Sequence, residues 1–302
     1  MNAIEAMQAE IGYQVLGLQK QVLPSQSKKC LFVGSGDSYV AGLAAQHVSG
    51  GRALCCYPTD LIQNPSLASG RNVYFVSISG STKANIVAAK VAKRQGVRIA
   101  AITSRPSSPL ARSCDQTIEL KYKSAGVTTA GTISFTSSML VCTSLVANVK
   151  LPDLTKIYGQ AKKHAERMAS KVDSEGSYFI LGNGVLHPIA IYGALKFNEV
   201  LGAKALPYQT EEFCHSPLFS AKRGDQVIAI GSGGEELSQR LSQEGFSSVH
   251  VDFKSSGIGL LLQSSFVMQL LVLKLAQRHK MTNCYFLKNR KLLRISSDFI
   301  YD

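Results

Sequence analysis

Short apolar runs rich in Val, Ile and Phe recur along the chain, and most close on glycine before a helical pattern begins. The first is KCLFVGSG (29–36), followed by NVYFVSISG (72–80) and VRIAAITS (97–104). Three more come later: SYFILGNG (177–184), DQVIAIGSGG (225–234) and SSVHVDF (247–253). Hydrophobicity within each run is continuous rather than alternating, the pattern of strands buried on both faces of a parallel sheet covered by helices. Helical stretches between the runs predict repeated βαβ units. Longer helices are expected over Ala3–Leu23, Leu154–Val172 and Ser265–Arg278.

The order of these units repeats. FVGSG (32–36) is echoed by ILGNG (180–184), and NVYFVSISGST (72–82) by QVIAIGSGGEE (226–236). Two α/β sandwich domains of similar topology are therefore expected, residues 1–150 and 151–302, packed as a pseudo-dimer. Their turns differ in charge. The first half places Ser77, Ser79, Gly80, Ser81 and Thr82 before a helix, all neutral donors where backbone N–H groups favour an anion. The second places Glu235 and Glu236 at the matching helix start, where an anionic ligand would be repelled. Ser and Thr also cap helices without binding anything, but a generic cap would serve both halves equally.

Composition narrows the class. With 302 residues, 45% apolar and 18% charged, the chain suits two globular domains with full cores. No apolar run approaches the ~20 residues that cross a bilayer, and the acidic N-terminal stretch lacks a signal core. The seven scattered cysteines include no CxxC pair, which favours reduced thiols in a cytoplasm over disulfides or a metal site. The net charge of +13 is spread out, without the basic-aromatic interleaving of a nucleic-acid surface, so neither nucleic acid nor membrane is expected as a partner.

Ligands of open α/β sheets sit at the carboxyl ends of strands. Three loops of the first half offer hydroxyls there: Ser38 in GSGDSYVAG (34–42), the SISGST turn, and Thr132 in TTAGTISFT (128–136). The spacing G-x-G-x-x-G of a dinucleotide fold is missing, and so is a Walker A motif. The second half supplies titratable groups. Lys196 and Glu199 in GALKFNEV (193–200) lie three apart on one helical face, and His215 centres TEEFCHSPLF (210–219). A carboxylate and a histidine beside a phosphate-anchored polyol suit proton transfer between neighbouring carbons; alternatively, Glu199 pairs with Lys196 on the surface and His215 caps a turn.

Taken in order, these segments resemble the double sugar isomerase (SIS) domain family, including the isomerase half of glucosamine-6-phosphate synthase. SISGST resembles the family's S-x-S-G-[ED]-[ST] phosphate loop, and SSPLARSCDQTIEL (107–120) its S-x-L-x-x-x-[AS]-D segment. GNGVLHPIAIYGALKFNEV (182–200) resembles the opening of the second domain, and EEFCHSPLF (211–219) resembles E-[FL]-x-H-G-P. The resemblance implies tandem flavodoxin-like αβα sandwiches and a cofactor-free, metal-free site. Ser38, Ser77, Ser79, Gly80, Ser81, Thr82 and Thr132 would hold the sugar phosphate. Glu199 would be the base between C1 and C2, Lys196 would orient it, and His215 would assist ring opening from a neighbouring subunit of a homodimer. Departures include Ser81 in the phosphate loop, Asn183 for an arginine, Tyr192 for a glutamate, Ser216 after the histidine and Ile133 for a lysine. The synthase's C-terminal lysine has no clear counterpart, with Lys288 and Lys291 as candidates. Aldose–ketose isomerisation and amino-sugar deamination both remain open, and a non-catalytic sugar-phosphate sensor is the alternative from another class.

Overall fold

The computed structural model describes residues 1–172 and 176–301. In chain order its elements are α1 (Ala3–Gly17), β1 (Cys30–Val33), α2 (Asp37–Val48), β2 (Leu54–Cys56), α3 (Pro58–Gln63), β3 (Asn72–Val76), α4 (Lys83–Arg94), β4 (Ile99–Thr103), α5 (Pro109–Ser113), β5 (Gln116–Glu119) and α6 (Ile133–Val146). There follow α7 (Leu154–Ala169), β6 (Tyr178–Gly182), α8 (His187–Lys196), β7 (Ala205–Tyr208), α9 (Thr210–His215), β8 (Gln226–Ile230), α10 (Glu235–Gln243), β9 (Ser247–Val251), α11 (Gly257–Arg278), α12 (Tyr285–Lys288) and α13 (Arg290–Tyr301).

The strands form two all-parallel sheets, β2-β1-β3-β4-β5 and β7-β6-β8-β9. The order is the flavodoxin-like one, 2-1-3-4-5, with its last strand missing from the second sheet. The sequence repeat is thereby explained, since the echoed runs are β1 and β6, then β3 and β8, at equivalent places. Interior strands β1, β4, β6 and β8 are buried throughout, which requires an unbroken apolar run. The strands that hydrophobic patterning misses, β2, β5 and β7, all lie at sheet edges and are largely half-exposed. Such strands need no apolar run.

Two compact units follow from the contacts. One comprises residues 16–123, 133–150 and 289–302 and contains the five-stranded sheet; the other comprises 1–15, 124–132 and 151–288 and contains the four-stranded sheet. The sheets thus fall on either side of residue 150, while three segments cross that line. In the five-stranded unit a core of Leu31, Val33, Val73, Phe75 and Ala101 sits under α3, α4 and α5. In the other unit Phe179, Leu181, Phe213, Val227 and Ala229 form a corresponding core.

Helix α11 corrects one expectation. Its 22 residues include an 18-residue stretch of mean hydropathy 1.7, long and apolar enough to span a bilayer, yet 89% of that stretch is buried inside the protein. It packs on α7 and α8 and serves as the central core helix of its unit. It also begins eight residues before the helix expected at Ser265, whereas α1 ends at Gly17 and gives way to a single 3-10 turn, Leu18–Lys20.

Candidate active site

The turn between β3 and α4 is built from its own hydroxyls. Buried Ser77 continues the sheet through its N–H to the Ile102 carbonyl (3.0 Å), and its Oγ accepts the Gly80 N–H (3.2 Å). Ser79 Oγ accepts the Ser81 N–H (3.3 Å), and Ser81 Oγ donates back to the Ser79 carbonyl (3.2 Å). Gly80 sits at φ +61°, and a Cβ there would lie 2.0 Å from Ser108 Oγ, so only glycine fits. Its carbonyl accepts the Leu110 N–H at 3.0 Å, which ties the turn to α5.

Thr82 occupies the N-cap position of α4 but makes no side-chain cap; its Oγ1 faces Ser77 Oγ at 3.5 Å. The capping explanation therefore does not hold for this residue. A helix's first turn carries N–H groups with no intrahelical acceptor and a positive dipole end. With the cap hydroxyl turned aside, both are available to an anion. At the equivalent turn of the other unit, α10 opens with Glu235 and Glu236, and Glu236 pairs with Arg240 at 2.5 Å. There the protein's own carboxylates sit at the dipole end.

Ser38 is the second residue of α2, after Gly36 at φ +56°. Gly34 is needed for close approach, since a Cβ there would stand 3.0 Å from Ser38 atoms. Val33 and Phe75 are register partners, so the Ser38 loop and the Ser77–Thr82 turn leave the same edge of adjacent strands. Tyr39 stacks on Tyr57 with centroids 4.1 Å apart. Burial above all, then Cys55, Tyr57 and Asp60, raises the Tyr39 phenol above its usual range, which keeps it a neutral donor.

The titratable residues belong to the other unit. Lys196 ends α8, and Glu199 lies in a π-helical turn, Phe197–Leu201, that closes on Gly202 at φ +68°. Such turns are rare and recur at functional sites. A Cβ on Gly202 would fall 2.4 Å from the Tyr285 ring, so α12 and the turn interlock. Lys196 is fully buried, and its Nζ donates to Glu199 Oε2 at 2.5 Å, while the glutamate side chain stays 36% exposed. The pair exists, but its lysine end is in the core rather than on the surface.

A buried polar network starts beside that lysine at Tyr192, and sequence reading missed it. Lys196 Nζ lies 5.2 Å from the centre of the Tyr192 ring, within cation–π range. Tyr192 Oη donates to the Gly131 carbonyl (2.8 Å) and accepts from Gln269 Nε2 (3.0 Å). Gln269 Oε1 accepts in turn from Gln14 Nε2 at 2.7 Å. Thr132, expected on a ligand, is fully buried here with its hydroxyl 3.5 Å from Glu10 Oε2. Glu10 Oε1 also accepts from Ser124 Oγ and the Ala125 N–H, both at 3.0 Å.

His215 ends α9, 71% exposed, and pairs across one helical turn with Glu211 at 3.9 Å rather than with Glu199. Asn183 Oδ1 accepts the Thr210 N–H (2.9 Å), which anchors the start of α9, and fully buried Phe213 holds it to the core. Lys288 is the last residue of α12 and is exposed; Lys291 lies in α13, in the other unit.

Comparison with known proteins gives the family. Glutamine–fructose-6-phosphate aminotransferase (isomerizing) of Sulfolobus acidocaldarius is 27% identical over 222 residues, covering 68% of this chain and 37% of that protein. The Pyrococcus horikoshii protein of the same name is 25% identical, over 71% of this chain and 39% of its own length. The chain thus spans well under half the length of these relatives. The crystal structure of glucosamine-6-phosphate deaminase from Thermotoga maritima superposes with a TM-score of 0.71 at 21% identity, over 93% of this chain and 94% of that one. The SIS domain model matches residues 25–148 and 172–244, so this chain belongs to the SIS domain family.

Proposed function

We propose that the protein is an enzyme of hexose or amino-hexose 6-phosphates that moves a proton between C1 and C2. The observation that carries this reading is Glu199. Its carboxylate is partly exposed on a π-turn and held from below by a fully buried lysine. A surface pair needs no buried cation, and a binding module needs no positioned carboxylate. In this reading the Ser77–Thr82 turn, with Ser38, holds the phosphate, and Glu199 takes the proton from C2 of the open-chain aldose. The resulting enediol is reprotonated at C1, which gives the ketose. With an amino group at C2 the same transfer gives a C2 imine, which water hydrolyses to ketone and ammonia. The likeness to both an isomerising aminotransferase and a deaminase supports this shared step. The exposure of His215 suits a role in the site of a second copy of the chain, as in a homodimer with shared sites.

Proton NMR in deuterated water, with fructose, glucose, mannose and glucosamine 6-phosphates, tests the reading. Deuterium should enter C1 or C2 of one of them, with ammonia if the amino sugar reacts. Glu199→Gln should abolish exchange and leave binding nearly intact. Ser79→Ala with Thr82→Val should weaken binding by roughly 1–3 kcal/mol, the worth of hydrogen bonds to a charged group. Binding without exchange of any of the four would make the protein a sensor instead.

A further inference from the structure

A cavity lined by cationic side chains lies at the opposite strand ends of the five-stranded sheet from the Ser77–Thr82 turn. Where Cys30 begins β1 and Arg71 precedes β3, a cavity of about 620 Å³ opens, bordered by Lys28, Lys29, Arg52 and Arg71. No carboxylate lines it among the described residues, and Ser69 and Gly70 add to the lining. Two observations set it apart from a solvated basic face. Arg71 Nη1 is shut off from solvent with no hydrogen-bond partner among the described residues. Such a donor is costly, and an anion that draws the guanidinium toward the cavity would relieve it. Lys29 is one of only two described non-glycine residues with positive φ, at +51°. Strain of this kind clusters at ligand-binding places, and here it accompanies a lysine side chain at the cavity.

We infer that this cavity binds a small anion carrying two or more phosphate groups. Four positive charges without a lining carboxylate exceed what one phosphate would neutralise, and the volume suits a metabolite rather than a bare ion. The site is separate from the Ser77–Thr82 turn. The four residues of β1 and five of β3 lie between them, about 13–17 Å at the rise of a strand. The inference is also independent of the proposed catalysis.

Isothermal titration calorimetry of the full chain with pyrophosphate and with ADP tests it, with inorganic phosphate and a single-stranded RNA as further arms. Both pyrophosphate and ADP should bind, and more tightly than phosphate. Lys29→Gly and Arg52→Gln should each weaken binding about tenfold, the equivalent of one hydrogen bond to a charged group. Lys29→Gly removes the charge at a backbone conformation glycine adopts freely, so the variant is expected to fold. With the turn weakened by Ser79→Ala and Thr82→Val, pyrophosphate should still bind, and Lys29→Gly should still weaken that binding about tenfold. The assignment fails if neither ligand binds, if Lys29→Gly and Arg52→Gln bind as well as wild type, or if the turn variant loses the binding. RNA binding more tightly than either ligand and displacing it would overturn the small-molecule assignment in favour of a nucleic-acid surface.

Discussion

Replacing Glu199 with Gln strips the counter-charge from an ammonium that has no exposed surface. At 2.5 Å and an effective dielectric of 20, the gross attraction between unit charges is about 6–7 kcal/mol. Much of it offsets the desolvation of Lys196, and water reaches the exposed part of the carboxylate. Removing one member of a fully buried pair costs roughly 3–5 kcal/mol. Here the amide oxygen of Gln keeps an acceptor for Nζ, and the Tyr192 face supplies about 1 kcal/mol in either case. A loss of about 1–3 kcal/mol remains. Lys196→Met should cost less, under about 1 kcal/mol, because Met fills the volume of the lysine stem and leaves no buried charge, while Glu199 relaxes into water. The double variant should match Lys196→Met within about 0.5 kcal/mol, the usual error of additivity, so that most of the Glu199→Gln cost disappears in the cycle. Urea unfolding followed by circular dichroism reads all three. A Glu199→Gln loss below about 0.5 kcal/mol, or additive losses in the double variant, would show a solvated pair without the coupling argued here.

Gly80→Ala should destabilise by roughly 2–4 kcal/mol, the sum of left-handed backbone strain and a clash with a serine already engaged as a cap; Ser108→Gly in the same chain should recover the steric part. Phosphate-ester affinity should fall with it, and a Gly80→Ala protein of wild-type stability and affinity would refute the account of the turn. At pH 8 a disulfide reagent should modify one thiol faster than the rest, Cys214, which alone of the seven is exposed, though partial burial and Glu211 raise it too. Burial raises the Cys55 and Cys142 thiols and pushes Cys56 up to about 12; a second fast thiol would contradict this. His47 and His164 are both lowered, chiefly by burial and at His164 also by Arg167. They contribute stability above about pH 6.5, where the unfolded chain is also neutral, and it is lost as pH falls through their lowered folded-state values. The melting temperature should decline as pH falls below about 6.5, and His47→Gln with His164→Gln should flatten that decline; an unchanged slope would rule out both groups.

The parallel sheets were legible because a strand covered on both faces must be almost wholly apolar, as β1, β4, β6 and β8 are apart from Thr103 and Gln226 at strand ends. The repeat was legible because two sheets of the same order reuse the same strand-glycine-helix unit. Edge strands β2, β5 and β7 carry no such demand, and their residues read as loop. Ser77 to Thr82 could be recognised as a hydroxyl turn, but its alternatives, cap or anion site, differ only in where Thr82 Oγ1 points. Ser77, fixed by pairing with β4, decides that direction.

Lys196 marks the limit most clearly. In GALKFNEV its charge and spacing suggest a surface pair with Glu199, and the pairing was read correctly. Its helix packs on groups remote in sequence: Met268, 2.5 Å from where a Gly193 Cβ would stand, and Gln269, which holds the Tyr192 hydroxyl. The chain by itself determined which residues carry charge, hydroxyls and glycine freedom, because those are properties of side chains and of local backbone. Only the tertiary structure decided which charge lost its water, because desolvation is set by neighbours that packing, not sequence proximity, brings together.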